Sequence, residues 1–126
     1  MSDAKPRVLI AEDEEAIAEA IEFLMEREGC DAFVARDGSL AVKASQTAKL
    51  DLIILDLMLP RMSGLDVLRL IRSQALNQET PILVLTARGQ ENDEEKVRAN
   101  GATAFMTKPF SNANLVSTAM ALMQRS

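Results

Sequence analysis

The 126-residue chain has no histidine, no tryptophan and no tyrosine, and only one cysteine, Cys30. Without histidine there is no Ser-His-Asp triad, no imidazole metal ligand and no phosphohistidine carrier. A single cysteine excludes an internal disulfide and a CxxC site, and reads as a small, half-buried apolar residue. Cationic side chains are outnumbered, 14 Lys and Arg against 19 Asp and Glu, for a formal net charge of −5. That balance argues against nucleic-acid binding by this chain, which leans on cationic neutralisation of phosphates. Long hydrophobic runs are also missing. The first apolar run, Val8-Leu9-Ile10-Ala11, meets Glu12-Asp13 at once. A signal peptide needs a longer stretch, and a spanning helix needs ~20 apolar residues. No membrane association and a cytoplasmic location are the expectations.

What is present suits one ordinary domain. Hydrophobic residues make up 48% of the chain and charged residues 26%, enough to bury a core and stay soluble. Residues 1–126 read as a single domain without repeats, linker or basic recognition helix. Five short apolar runs recur: Val8–Ala11, Ala32–Ala35, Leu52–Leu55, Ile82–Leu85 and Thr103–Met106. They read as strands buried on both faces, the habit of parallel sheets. The second and fifth are weaker and suit sheet edges.

Helix-period segments lie between them. From Asp13 to Glu28, Ile17, Ala20, Ile21 and Leu24 share a stripe, with Gly29 as the stop. Gly38 to Ala48 places Leu40, Ala41 and Ala44 together. Ser63 to Ala75 places Leu65, Leu68 and Ile71 or Arg72 on neighbouring turns. Gln90 to Asn100 has only Val97 and Ala99 as apolar anchors, before Gly101. Ser111 to Gln124 carries Leu115, Val116, Ala119, Leu122 and Met123, with Ser111 as N-cap. Five strand-helix repeats predict a doubly wound α/β domain with right-handed crossovers. The flavodoxin-like (βα)5 order, 2-1-3-4-5, is a common solution, with the first and third strands flanking the switch point.

Chemistry then belongs at the carboxyl ends of the strands. The first strand ends in Glu12-Asp13 and the third in Asp56. Three carboxylates in one crevice repel one another unless something positive intervenes. A hard divalent cation such as Mg²⁺ fits. Asp13 alone could be a helix N-cap; three acids at a switch point are harder to explain so plainly. The fourth strand ends in Thr86-Ala87 and the fifth in Thr107-Lys108-Pro109-Phe110. A hydroxyl, an N–H and an ammonium can therefore face the same crevice, although Thr86 could equally cap a helix.

Glu12-Asp13, Asp56-Leu57-Met58-Leu59-Pro60 with Ser63-Gly64, Thr86-Ala87 and Lys108-Pro109-Phe110 together resemble the receiver domain of bacterial two-component response regulators. The match runs from Val8 to about Gln124. Leu85-Thr86-Ala87-Arg88-Gly89 also resembles the branch that carries a winged-helix output domain. The resemblance implies that Asp56 is the phosphoacceptor. Asp13 and Asp56 would ligate Mg²⁺ directly, Glu12 through water and Met58 by its backbone carbonyl. Thr86 and the Ala87 N–H would bind the phosphoryl group, and Lys108 would pair with one of its oxygens. Pro109 would follow a cis peptide bond. Phe105 would be the aromatic switch, moving inward as Thr86 turns. The donor would be a histidine kinase or histidine phosphotransfer protein docking on the first helix, where Ala16, Ile17, Ala20 and Phe23 are the candidate contacts. Ile17 and Ala20 read first as core residues, and Phe23 as the better contact. Such a chain is a phosphorylatable signalling switch rather than an enzyme on other substrates, acting through a downstream protein that the sequence does not name.

Departures from the family pattern carry expectations too. Phe105 stands where many receivers have tyrosine, so its hydroxyl is lost. Ala102-Thr103-Ala104 and Asn114, Ser117 and Thr118 replace charges that pair across winged-helix-type dimers. A monomer or a phosphorylation-dependent dimer of another form is expected. Met58 and Arg88 flank the phosphoryl entrance and tune access of water. A stand-alone receiver or relay shuttle is favoured over a fragment of a DNA-binding regulator or a phosphate-independent binding module. A haloacid dehalogenase-type phosphohydrolase needs an acid two positions after the nucleophile, where Met58 stands. A nucleotide or flavin module needs phosphate-cradling glycines, where Ala11 to Glu15 is acidic.

Overall fold

The computed structural model describes residues 4–87 and 93–124. Five strands form one parallel sheet: β1 (Arg7–Ala11), β2 (Asp31–Ala35), β3 (Leu52–Asp56), β4 (Ile82–Thr86) and β5 (Ala104–Thr107). Their order is β2-β1-β3-β4-β5, as expected, with β2 and β5 at the edges. The helices between them are α1 (Glu15–Arg27), α2 (Gly38–Thr47), α3 (Gly64–Arg72), α4 (Glu94–Ala99) and α5 (Asn112–Leu122).

Alternation along each strand divides the core in two. Val8, Ile10, Leu52, Ile54, Leu83 and Leu85 face α1 and α5. Leu9, Ala11, Ile53, Leu55, Ile82 and Val84 face α2 and α3, with Val97 of α4 beside them. Every residue of β3 and β4 is buried, which is why those runs are apolar without a period of two. Cys30 is also buried, in the α1 layer.

Helix starts follow local chemistry. Asp37 accepts the Leu40 N–H at 2.9 Å, Ser63 that of Asp66 at 3.2 Å and Ser111 that of Asn114 at 3.0 Å. Asp13 does not cap α1. The N-cap is Glu14, whose own N–H donates to Glu12 at 3.1 Å. Gly29 stops the helix at φ 90°, a conformation suited to glycine.

α1 and α2 bury a face partly turned from the expected one, while α3 keeps Leu68 and Ile71 of its expected stripe. α1 buries Ala18, Ile21, Leu24 and Met25; Ala20 is exposed and Ile17 half-buried. Each helical residue advances by about 100°, so a one-residue error in phase exchanges stripe and flank. α2 buries Gly38, Ala41 and Ser45, leaving Leu40 exposed. A Cβ on Gly38 would lie 2.6 Å from Met62, so α2 approaches that loop along its glycine. α3 buries Gly64, Val67, Leu68 and Ile71, with Leu65 only half-buried.

α4 is short, and Val97 is its buried anchor; Ala99 is exposed. The expected start at Gln90 lies outside the described residues. Few apolar contacts mean a low cost of local opening. Amides of 94–99 are expected to exchange with deuterium well before those of β3 and β4. Equal protection would show that α4 opens only with the whole domain.

Candidate functional site

The switch point brings together the residues that the sequence placed there. Glu12 and Asp13 follow β1, Asp56 ends β3, Thr86 ends β4 and Lys108 follows β5. β1 pairs directly with β3, with Ala11 beside Leu55, so the acids after both strands meet. Carboxylate oxygens of Glu12, Asp13 and Asp56 lie within 4.8 Å of one another. Glu12 and Asp56 are buried, while Asp13 is open to solvent.

Lys108 supplies the positive charge in this cluster. Its Nζ stands 2.8 Å from Glu12 Oε1, 3.1 Å from Asp56 Oδ2 and 3.7 Å from Glu14 Oε1. The contact with Asp56 is a hydrogen bond, and that with Glu12 Oε1 is a close ion pair. A buried carboxylate is costly unless a positive group serves it, and Lys108 serves both Glu12 and Asp56. Asp56 Oδ1 accepts the Met58 N–H at 3.1 Å, which fixes its rotamer. Gly64 makes the turn behind it possible: a Cβ there would stand 2.6 Å from Leu57 Cα and 2.8 Å from the Asp56 carbonyl.

Electrostatics reflects the crowding. Burial raises the Glu12 carboxyl above its ordinary 4.5; the nearby Asp56 charge adds to this, while Lys108 and the Glu14 N–H oppose it. Burial alone would lower the Lys108 ammonium, but Glu12 and Asp56 outweigh it and lift the group above 10.5.

Signs follow from linkage. The folded protein holds the Glu12 proton more tightly than the unfolded chain, so this group favours folding as pH falls and penalises it above the raised value. Lys108 contributes stability that is complete below 10.5 and lost as pH rises through its raised value. Glu12→Gln is expected to raise the melting temperature of metal-free protein at neutral pH. It should also flatten the dependence of stability on pH from 4.5 upward. Melting curves across pH check this; an unchanged slope would place the titration elsewhere.

The remaining expected residues fall into place unevenly. Thr86 is fully buried; its Oγ1 lies 3.5 Å from the Ala87 carbonyl, and it caps no described helix. The Lys108–Pro109 peptide is cis, as expected. Phe105 is half-buried against the core layer of α2 and α3. Phe23 is 62% exposed, with the Arg27 guanidinium 5.8 Å from its ring centre. Arg88 lies outside the described residues. Sequence reasoning did not assign a site role to Glu14, whose carboxylate reaches Lys108, or to Arg36, which donates to the Asp13 carbonyl at 2.8 Å. Only the β1–β2 pairing puts Arg36 there.

Residues 8–120 match the family model described as the response regulator receiver domain. The chain belongs to that family, the receivers of two-component signalling. Among curated relatives it is 40% identical over 120 residues to the alkaline phosphatase synthesis transcriptional regulatory protein PhoP of Bacillus subtilis. It is also 40% identical over 119 residues to the phosphate regulon transcriptional regulatory protein PhoB of Klebsiella pneumoniae. These alignments cover 95% and 94% of this chain but 49% and 52% of the relatives, so the chain spans about half their length. Among solved structures, the receiver domain of the Pseudomonas aeruginosa sensor histidine kinase PA1611 superposes with TM-score 0.88 at 28% identity, covering 96% of this chain and 99% of that one. That structure has magnesium coordinated in its active-site cleft. Vibrio cholerae chemotaxis protein CheY4 superposes equally well, TM-score 0.88 at 30% identity, over 94% of this receiver and 99% of that chain.

This receiver's own residues fit a hard divalent cation. Three convergent carboxylates against one ammonium leave excess negative charge, and carboxylate oxygens are the hard donors such a cation takes. Among the described residues, no helix is long and apolar enough to cross a membrane.

Proposed function

We propose that this receiver accepts a phosphoryl group on Asp56 from a phosphohistidine of a histidine kinase or phosphotransfer protein, and thereby changes which protein it binds. One observation carries this reading: the buried Asp56 carboxylate is held between two further acids and the Lys108 ammonium, 3.1 Å away. Mg²⁺, held by Asp13, Asp56 and the Met58 carbonyl with Glu12 through water, would neutralise the acids and the incoming oxygens. Asp56 attacks phosphorus, the donor N–P bond breaks, and an acyl phosphate forms. Lys108 turns from the carboxylates to a phosphoryl oxygen. Thr86 and the Ala87 N–H reach the other oxygens, and Phe105 fills the space that Thr86 leaves. Water later removes the group.

The α1 face is the proposed kinase contact. Ala16 and Ala20 are exposed and Ile17 is half-buried, and all three line the cleft of Lys108, Pro109 and Phe110; Phe23 stands clear of the core. Phe23→Ala is expected to slow phosphotransfer from the cognate kinase severalfold, without changing the melting temperature or labelling by acetyl phosphate. Unchanged transfer would remove Phe23 from the interface.

Acting alone or as a relay shuttle, the receiver would signal through binding. A second reading is favoured by the relatives: both are transcriptional regulatory proteins about twice this length, so the receiver can equally govern a DNA-binding output. The deciding experiment for the chemistry is intact mass after incubation with Mg²⁺ and acetyl phosphate. A single phosphoryl adduct that requires Mg²⁺ supports the reading. If acetyl phosphate, beryllofluoride and a phosphohistidine donor all leave the protein unmarked, it is a phosphate-independent binding module.

A further inference from the structure

We infer that Met58 is a peroxide-sensitive modification site, whose conversion to the sulfoxide shortens the life of the phosphorylated state; the second half of this rests on the phosphoryl chemistry proposed above. Met58 is 60% exposed, whereas Met25 is fully buried and Met62, Met106, Met120 and Met123 are half-buried. The one thiol, Cys30, is sealed in the core at 2% exposure. Among the described residues, Met58 is therefore the sulfur-bearing residue most open to a dissolved oxidant. Sulfur oxidation follows exposure when no low-pKa thiolate competes.

Its place gives the modification a consequence. The Met58 N–H is bound to Asp56 Oδ1, so the root of the side chain is tied to the phosphoacceptor. The side chain stands between two clefts. One, of about 220 Å³, is lined by Leu57, Leu65 and Val97. The other contains Asp13, one of the three acids. An apolar thioether at that edge sheds water. A sulfoxide is a strong hydrogen-bond acceptor and holds water at the same point, beside the bond that water must attack.

The step balances with a peroxide as oxidant. The sulfur lone pair attacks one peroxide oxygen, the O–O bond breaks, an S–O bond forms and water leaves. The thioether loses two electrons and the peroxide gains them. A thiol-driven sulfoxide reductase reverses it.

The test treats the full chain with hydrogen peroxide and maps oxidation by peptide mass spectrometry. It then measures the half-life of the phosphoprotein made with acetyl phosphate. Oxygen is expected on Met58 before any other methionine from Met25 to Met123, and the half-life should fall severalfold. Met58→Leu should abolish the peroxide effect, and Met58→Gln should give a short half-life without peroxide. Earlier oxidation elsewhere overturns the inference, as does an unchanged half-life once Met58 is oxidised or a response that survives in Met58→Leu. A protein that never takes up phosphate sinks the functional reading as well, so the two failures are distinguishable.

Discussion

Asp56→Asn is expected to abolish phosphoryl uptake while leaving the fold intact. The amide keeps the shape of the carboxylate and can still accept the Met58 N–H, bonded at 3.1 Å in the native protein. It loses the negative oxygen proposed to attack phosphorus, and the partner that Lys108 meets at 3.1 Å. Removing one of three crowded acids also relieves repulsion, so the metal-free variant should melt no lower than the native protein. Mg²⁺ affinity should fall about tenfold or more, roughly 1.4 kcal/mol, because a proposed direct ligand is gone. Intact mass after acetyl phosphate reads the first effect, thermal melting the second and a Mg²⁺ titration the third. A phosphoryl adduct on the variant would move the acceptor to another residue. A collapse in melting temperature would show that Asp56 serves the fold more than the chemistry.

Asn77→Ala is expected to be the most damaging single change far from the site. Asn77 is fully buried in the connection between α3 and β4. Its Oδ1 accepts the Leu50 N–H at 2.8 Å, and its Nδ2 donates to the carbonyls of Ser45 at 2.7 Å and Ala48 at 2.8 Å. Thr80 Oγ1 stands 2.9 Å from Asn77 Oδ1 and 3.1 Å from the Leu50 carbonyl, and its one proton serves one of them at a time. One amide thus holds the end of α2, the entry to β3 and the entry to β4. Alanine leaves the buried Leu50 N–H and the carbonyls of Ser45 and Ala48 without this partner. The cost should be roughly 3–5 kcal/mol. For a domain of this size, that is a fall of about 10–20 °C in melting temperature. Denaturant unfolding checks it. A loss under about 1 kcal/mol would show that water replaces the amide.

The site was legible because its parts sit at ends of elements. Glu12, Asp56, Thr86 and Lys108 each follow an apolar run, and parallel strands present such ends on one side of the sheet. The helix faces were read less well. Ala20 and Leu40 were placed on buried stripes and are exposed. Each stands one position before a buried residue, Ile21 after Ala20 and Ala41 after Leu40, so the pattern alone did not set the phase. Gly38 and Gly64 decide how closely α2 and α3 approach the loop after β3, and a hydropathy pattern ranks glycine as neutral.

By itself, then, the sequence determined the five strand-helix repeats, the edge positions of β2 and β5, and the acids, hydroxyl and ammonium of the switch point. These follow from local hydropathy and from residues next to one another in the chain. Only the tertiary structure decided which face each helix buries, that Lys108 is shared between Glu12 and Asp56, that Arg36 reaches Asp13, and that Asn77 ties three segments together. Those facts depend on distances between residues 23 to 96 positions apart in the chain. Chain separation is invisible to a periodic pattern, and the sheet register alone brings such residues within a hydrogen bond of each other.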